Sequence, residues 1–413
     1  MLAAFVKSPR GFSARPVFRD WARRLITRYG SDNLVLNFGI TKLILVGGRD
    51  LSQRILEPPP RTDGFATGKL KRKAMAVLAP HALTVSDDAQ WVLLRPFNEG
   101  VLCAGRPHDL RQTFVARTRQ AFSALPATVD DIRAAMGRAM LGIVFGDRAP
   151  DGLVGDVEAL FDLVQHPAKR ILLGSFARPR RARFYDTLRQ VWRESAGSQE
   201  PCLLGSAHRE AGGIEEALVL EQIPHWMFTF IGSGTDLLVR TLTLLTSDAD
   251  ALTAARREIS AADSLDHADS IAGLAFVEAC LLEAARIYPP VTRTTHRAEA
   301  GAVAGTVRIP PGMELLHSFP LLGRSQQSIA EPMRFRPERW LSADDAATMT
   351  RDFDPFLFGT RHCPGRELIL FVCKTALATL IGPHRLVVEV PLPADALPPA
   401  FPAAAIRFRQ RNA

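Results

Sequence analysis

Apolar residues recur at three- and four-residue spacing through "TVDDIRAAMGRAMLGIVFG", "DVEALFDLVQH" and "GLAFVEACLLEAARIY". That is the period of helices that bury one face, and it predicts mostly helix from about Leu110 to Ala285. "TVDD" adds a threonine cap and two acids at a helix start. The first forty residues read as a helix. "NLVLNFG" and "TKLILVGG" are short β-prone runs separated by a turn, which predicts a hairpin near the start. After "YPPV" (Tyr288 to Val291) the texture changes to short extended pieces and turns. A last helix is expected from about Arg366 to Leu380, and the proline-rich tail "PLPADALPPAFPAAAIRF" is expected to return as a small hairpin. No internal repeat or clear linker interrupts the chain. The pattern predicts one mainly α domain over residues 1–413 with small β-sheets at its edges (α+β). Its β-rich part would lie at about 30–60, its helical core at about 85–290, and a separate loop at 354–368.

Composition agrees with a folded protein. The chain has 413 residues, 47% hydrophobic and 23% charged, enough to bury a large core. The five cysteines, Cys103, Cys202, Cys280, Cys363 and Cys373, are odd in number and scattered, with no CxxC. This argues against a disulfide scaffold or structural zinc and favours a reducing compartment. No run of eighteen apolar residues occurs, and the first residues are too briefly apolar for a signal peptide. The expectation is a cytoplasmic protein without a membrane anchor. The formal charge is +8, concentrated in "KLKRK" (Lys69 to Lys73) and "ARPRRARF" (Ala177 to Phe184). This is a solvated basic face or a docking patch for an acidic protein. No nucleic-acid motif accompanies the charge, so no nucleic-acid partner is expected.

The candidate chemistry sits in "DPFLFGTRHCPGREL" (Asp354 to Leu368). Cys373, inside "LILFVCKTAL", reads as a small core hydrophobe. Cys363 does not, because it precedes a helix. The amides of Gly365 and Arg366 are then expected to point near the sulfur and stabilise a thiolate. Gly359 permits a tight turn, and Arg361 is placed to hold an anion. A nucleophile would want a base, but His362, adjacent in an extended loop, points away. Zinc would want three more ligands. One thiolate beside an anion-binding arginine suits haem, with the sulfur on iron and the arginine on a propionate.

These residues identify a resemblance. The loop resembles the haem-binding signature of the cytochrome P450 family, F-x-x-G-x-R-x-C-x-G, matched by Phe356, Gly359, Arg361, Cys363 and Gly365. Further family segments follow the same order. "EAAR" (Glu283 to Arg286) fits E-x-x-R on a helix, and "FRPERW" (Phe335 to Trp340) supplies Arg339 as the third member of a charged triad. "WVLLR" fits W-x-x-x-R, whose Trp91 and Arg95 would meet the propionates. Family spacing after "YPPV" points to His296 as a further propionate ligand, with Arg297 and Arg293 as neighbouring alternatives. The resemblance implies haem b as cofactor and a soluble, bacterial-type enzyme.

The oxygen-activating helix departs from the family pattern. In "HWMFTFIGSGTDLLVRTLTLL" (His225 to Leu245) two registers are open. In the favoured one, Ser233, Gly234, Thr235, Asp236 and Leu237 fill the motif. The acid is then kept and leucine replaces the alcohol. In the other, Thr235 is the alcohol and Gly234 replaces the acid. The family's acid and alcohol relay protons during oxygen activation. Asp236, Thr235 and Ser233 are therefore the catalytic candidates. Phe228, Ile231, Leu238 and Val291 are candidate substrate-wall residues. Arg240 lies a turn beyond the motif, too far by helical pitch to stand in for it.

The resemblance implies a monooxygenase that inserts one atom of dioxygen into a small apolar substrate. No dinucleotide fingerprint or ferredoxin cysteine spacing is present. Electrons are therefore expected from an external ferredoxin or flavodoxin and its reductase. The alternatives are a peroxide-driven or non-oxidative haem-thiolate enzyme, or a haem sensor or carrier without turnover.

Overall fold

The computed structural model describes residues 33–37, 42–61, 64–174, 177–325, 329–394 and 396–410. The helix expected within the first forty residues lies outside them, except where Asn33–Asn37 forms strand β1. Strand β1 pairs antiparallel with β2 (Lys42–Val46), Val35 opposite Ile44, as the expected hairpin. Helix α1 (Arg49–Leu56), strand β3 (Phe65–Thr67) and α2 (Lys69–Met75) follow.

The helical body opens with α3 (Asp88–Leu102), α4 (Arg111–Ala121), α5 (Val129–Phe145), α6 (Leu153–Gln165) and α7 (Pro167–Leu173). It continues through α8 (Ala177–Glu194), α9 (Leu203–Glu210), α10 (Glu216–Leu220) and α11 (Ile223–Phe228). It closes with α12 (Thr235–Ser247), α13 (Ala249–Ala261), α14 (Ala268–Ala272) and α15 (Ala275–Ile287). Strands β4 (Arg293–Ala298), β5 (Val303–Ala304), β6 (Val307–Arg308) and β7 (Glu314–Ser318) come next. Then follow α16 (Phe319–Leu322), α17 (Ala343–Asp352), α18 (Arg366–Ile381) and strands β8 (Leu386–Val388) and β9 (Phe408–Gln410).

The fold is mainly helical with small sheets, as the periodicity predicts. Helix α5 starts where "TVDD" places it. The Thr128 hydroxyl accepts from the Asp131 amide at 3.1 Å, and the Asp131 carboxylate accepts from the Thr128 amide at 2.8 Å. The main sheet runs β1-β2-β7-β4-β3. Strand β7 joins β2 in parallel, Leu316 opposite Leu45, and pairs antiparallel with β4, Leu315 opposite His296. The tail returns as expected, β9 pairing antiparallel with β8. One large apolar cluster fills the helical body, and a smaller one sits between the sheet and α1. Among the described residues, no helix is long and apolar enough to cross a membrane.

An ion pair at the centre of the body ties helix to loop. Glu283 and Arg286, one turn apart on α15, are both fully buried. Arg286 donates from Nε and Nη2 to the two Glu283 oxygens at 2.8 and 2.7 Å. Its Nη1 donates to the carbonyls of Gly323 and Pro332, both at 2.7 Å. Arg339 Nε reaches Glu283 at 3.3 Å, completing the expected triad. Two further donors were not legible in the motif. The Trp340 indole N–H donates at 3.0 Å and the Arg336 amide at 3.1 Å. A buried carboxylate so fully met costs little to keep and much to break.

Two predictions follow from this packing. Glu283→Ala leaves the Arg286 charge buried without its partner, so urea unfolding should show a loss of about 3–5 kcal/mol; a loss within about 1 kcal/mol, as for a surface pair, would contradict this account. The second concerns His317, fully buried beside Ser52, whose hydroxyl lies 2.6 Å from its Nε2. Burial pushes its pKa from 6.5 down to about 3. Between those values the unfolded chain binds a proton that the folded chain refuses. Stability is therefore full above about pH 6.5 and falls as the pH drops through that window. His317→Gln should remove about 1.4 kcal/mol per pH unit from that slope in urea titrations. An unchanged slope would show that His317 contributes nothing to it.

Candidate active site

Strand β4, the α11–α12 segment and the cysteine loop enclose one large cavity of about 2010 Å³. An ordinary small-molecule pocket is roughly 300–1,000 Å³, so there is room for a cofactor and a substrate together.

The cysteine loop is held from behind by α1. The Thr360 amide donates to the Glu57 carbonyl at 3.1 Å, and the Cys363 amide to the Phe356 carbonyl at 2.7 Å. Gly359 takes φ +65°, and a Cβ there would stand 2.3 Å from Glu57 Cα, so only glycine fits. Cys363 lines the cavity. The Gly365 amide hydrogen-bonds its sulfur, but burial dominates and pushes the thiol up to about 11. This corrects the expectation of two amides stabilising a thiolate. The Arg366 amide is spent on the Cys363 carbonyl at 3.3 Å. One dipole does not offset desolvation, so burial favours the thiol over the thiolate. Cys373 is buried in α18, its sulfur 3.8 Å from the Gly234 carbonyl, as a core residue.

Of the residues expected around the cofactor, Trp91, Arg95, Arg361, His296, Phe356 and Gly365 all line the cavity with Cys363. Arg95 braces the loop: it donates to the His362 carbonyl at 2.8 Å, and its Nη2 lies 2.9 Å from the His362 ring. Glu99 accepts from its Nε at 2.7 Å. Sequence reasoning set His362 aside and missed this role. Arg297 does not line the cavity and pairs with Glu299 at 2.8 Å.

Arg361 donates from Nη2 to the Phe65 carbonyl at 2.9 Å, while its Nε has no partner. Both ring nitrogens of His296 are buried and unpartnered. Lys71, from the "KLKRK" run, also lines the cavity instead of facing solvent. Burial and then the nearby Arg361 charge bring Lys71 down to about 8. Burial lowers Arg361 to about 10. Burial, then Arg361, His317 and Lys71, hold His296 well below its ordinary value. The buried Asp87 carboxylate acts on both Lys71 and Arg361 but is already bound by Arg72 and Thr67, so the carboxylates of a haem would be further anions for this cluster. The donor set therefore fits haem: a lone sulfur, the Lys71 and Arg361 charges with the neutral His296 ring at the cavity edge, and room for a flat macrocycle. Lys71 carried no motif, and its signal was hidden in a charge run.

The oxygen helix is not a regular α-helix. Between α11 and α12, Thr229–Gly234 forms a wide π turn, the kind of distortion often found at functional sites. Ser233, Gly234, Asp236 and Leu237 line the cavity. Thr235 is fully buried outside it, and its hydroxyl has no partner. The cavity thus sees the acid and a leucine, the favoured register, and Thr235 is not brought to the site. Asp236 accepts from Arg240 at 2.5 Å, and Arg240 also donates to the Tyr288 carbonyl at 2.8 Å. Arg240, one turn beyond the motif, also lines the cavity, its side chain spanning that turn to Asp236. Of the four proposed wall residues, Phe228 and Val291 line the cavity, while Ile231 and Leu238 pack in the core.

The "ARPRRARF" run belongs to α8, which packs on α6. Phe161 of α6 stacks on Phe228 at 4.4 Å and lies against Gly232. That basic run therefore lies on the oxygen-helix side of the cavity, away from the cysteine loop on α1.

A sequence model described as "Cytochrome P450" matches residues 202–395. The chain is 28% identical over 189 residues to "Probable cytochrome P450 312a1" of Drosophila melanogaster, covering 44% of this chain and 37% of that protein. It is 32% identical over 137 residues to "Cytochrome P450 monooxygenase fscF" of Fusarium equiseti, covering 30% of this chain and 25% of that protein. Against "Cytochrome P450 monooxygenase aunB" of Aspergillus niger it is 34% identical over 116 residues, 27% of this chain and 71% of that protein. The first two matches span well under two thirds of the relatives' lengths. With a relative matched over most of its own length, and the motif residues brought around one cavity by the fold, the chain belongs to the cytochrome P450 family.

Proposed function

We propose that the chain is a haem-thiolate monooxygenase that places one oxygen atom of dioxygen into a small, largely apolar substrate. The observation that carries this reading is the shared cavity. Cys363 opens into it from the α1 side, and Ser233, Asp236 and Leu237 from the oxygen helix. When bound, haem supplies the oxygen-activating chemistry, with Cys363 as its protein ligand. Arg361, Lys71 and His296 would hold the propionates, and Arg95 holds the loop through His362. Asp236 is the carboxylate of the oxygen helix in the cavity wall, and His225 there is held neutral by burial, so Asp236 is the residue placed to hand on protons at its carboxylate oxygens. Arg240 fixes that carboxylate through a charge-assisted bond. Phe161 and Phe228, stacked at 4.4 Å, give the substrate an apolar wall.

Electrons come from a separate ferredoxin or flavodoxin with its reductase, drawn to a chain of formal charge +8. The peroxide-driven reading gains little support from Arg240, whose guanidinium is already taken by Asp236 and the Tyr288 carbonyl.

Purified protein should bind haem and, when reduced under carbon monoxide, show the red-shifted band of thiolate ligation. Cys363→Ser should abolish that band; its persistence would refute the reading. Asp236→Asn should keep the band and lower reductase-supported turnover by about a hundredfold, the low end of general acid–base effects. Turnover equal to wild type would remove Asp236 from proton delivery. Rising ionic strength should slow reductase-supported turnover and leave peroxide-supported turnover unchanged.

A further inference from the structure

The cavity is more cationic than a haem requires. Four of its arginines are engaged within the chain. Arg95 is held by Glu99 and His362, and Arg240 by Asp236 and Tyr288. Arg170 is held by the carbonyls of Leu163 and Val164, and Arg361 by that of Phe65. Lys71 stands beside Arg361 and belongs to the propionate cluster. Arg293 is left over. It lines the cavity at the start of β4 and, among the described residues, has no hydrogen-bond or ion-pair partner.

Arg293 does not belong to that cluster. It lies three residues from His296 along β4, about 10 Å by strand rise, and projects from the opposite face. Its cross-strand partner is Ser318, whereas the cavity carboxylate Glu314 pairs four residues away, opposite Arg297. Burial alone perturbs it, and no neighbouring charge acts on it. The wall around it mixes apolar Pro290, Val291, Leu316 and Phe319 with the hydroxyls of Thr292 and Thr295, and offers no carboxylate beside it. A partly buried guanidinium there gains from an anion that joins it. Its planar fork matches a carboxylate.

We propose that the substrate is an apolar molecule bearing one carboxylate, and that Arg293 receives this group where β4 leaves the Tyr288–Val291 turn. This rests on the monooxygenase reading and names the substrate class for the same site. The carboxylate anchors one end, and the apolar chain lies toward the paired rings of Phe161 and Phe228.

The test uses the haem-loaded protein and three probes of one chain length: dodecanoic acid, its methyl ester and dodecanol. Binding is followed by the shift of the resting haem spectrum and, independently, by calorimetry. Wild type should bind the acid at least about tenfold tighter than the ester or the alcohol, the scale of one charge-assisted pair. Arg293→Gln should bring the three probes within about twofold while keeping haem content and the ferrous carbonyl band. Arg293→Lys, which keeps the charge without the fork, should retain part of the preference and serves if the glutamine variant does not fold. Equal affinities in wild type, or an undiminished preference in Arg293→Gln, would overturn the proposal. Loss of haem from Arg293→Gln would also overturn it, by assigning Arg293 to a propionate. A missing ferrous carbonyl band in wild type would instead sink the monooxygenase reading, and the calorimetric preference is read separately from it.

Discussion

A charge taken out of water must be met by an opposite charge or by aimed dipoles, and the architecture turns on two answers to that constraint. At Glu283 the answer lies within the chain. Five donors from Arg286, Arg336, Arg339 and Trp340 converge on its two oxygens, and Arg286 in turn satisfies the carbonyls of Gly323 and Pro332. Loop segments from 323 to 340 are thereby fastened to α15. In the cavity the answer is left open. Arg361 Nε and both nitrogens of His296 have no partner, and Lys71 is desolvated beside them. The same desolvation that makes the triad costly to break lowers Lys71 and Arg361 at the cavity edge.

The cysteine loop follows a related logic. Its geometry is fixed before any metal arrives, by Gly359 against Glu57, by the Cys363 amide on Phe356, and by Arg95 on His362. Its charge is not fixed. With burial raising the thiol to about 11 and one amide opposing it, the sulfur is held in place but neutral. The fold sets the position of the sulfur and burial keeps it a thiol, which restrains it from acting as a free nucleophile.

Much of this was legible in the sequence because the chemistry is local. F-x-x-G-x-R-x-C-x-G and E-x-x-R encode a turn and a helical face, and short spacing fixes both. The β1–β2 hairpin and α5 were readable for the same reason, from alternation and from the Thr128 cap. Residues whose roles depend on distant partners were not legible. Lys71 looked like one more lysine in a basic run until α2 turned it toward Arg361. Trp340 and the Arg336 amide acquire meaning only against Glu283, more than fifty residues earlier. Arg297 and His296 are neighbours in sequence, yet His296 lines the cavity while Arg297 is taken by Glu299. The π turn at Thr229–Gly234 left no mark in the apolar spacing.

That turn bears on the proton route. Ser233, Leu237 and Arg240 share a helical face at three- and four-residue spacing, and Thr235 lies about half a turn away from Leu237. No small rotation brings Thr235 to the cavity while keeping Asp236 there, because Arg240 ties Asp236 to the Tyr288 carbonyl. Tyr288 is in turn fixed through its hydroxyl to the Pro398 carbonyl at 2.6 Å. The acid is thus anchored to the turn that ends α15, and Arg293 begins β4 on the far side of that same turn. Whatever positions Tyr288–Val291 positions both the acid and the unpartnered arginine. The leucine at 237 then has a physical reading. It puts hydrocarbon beside Ser233 on that face, and the Asp236–Arg240 pair is the polar feature of the α12 wall of the cavity.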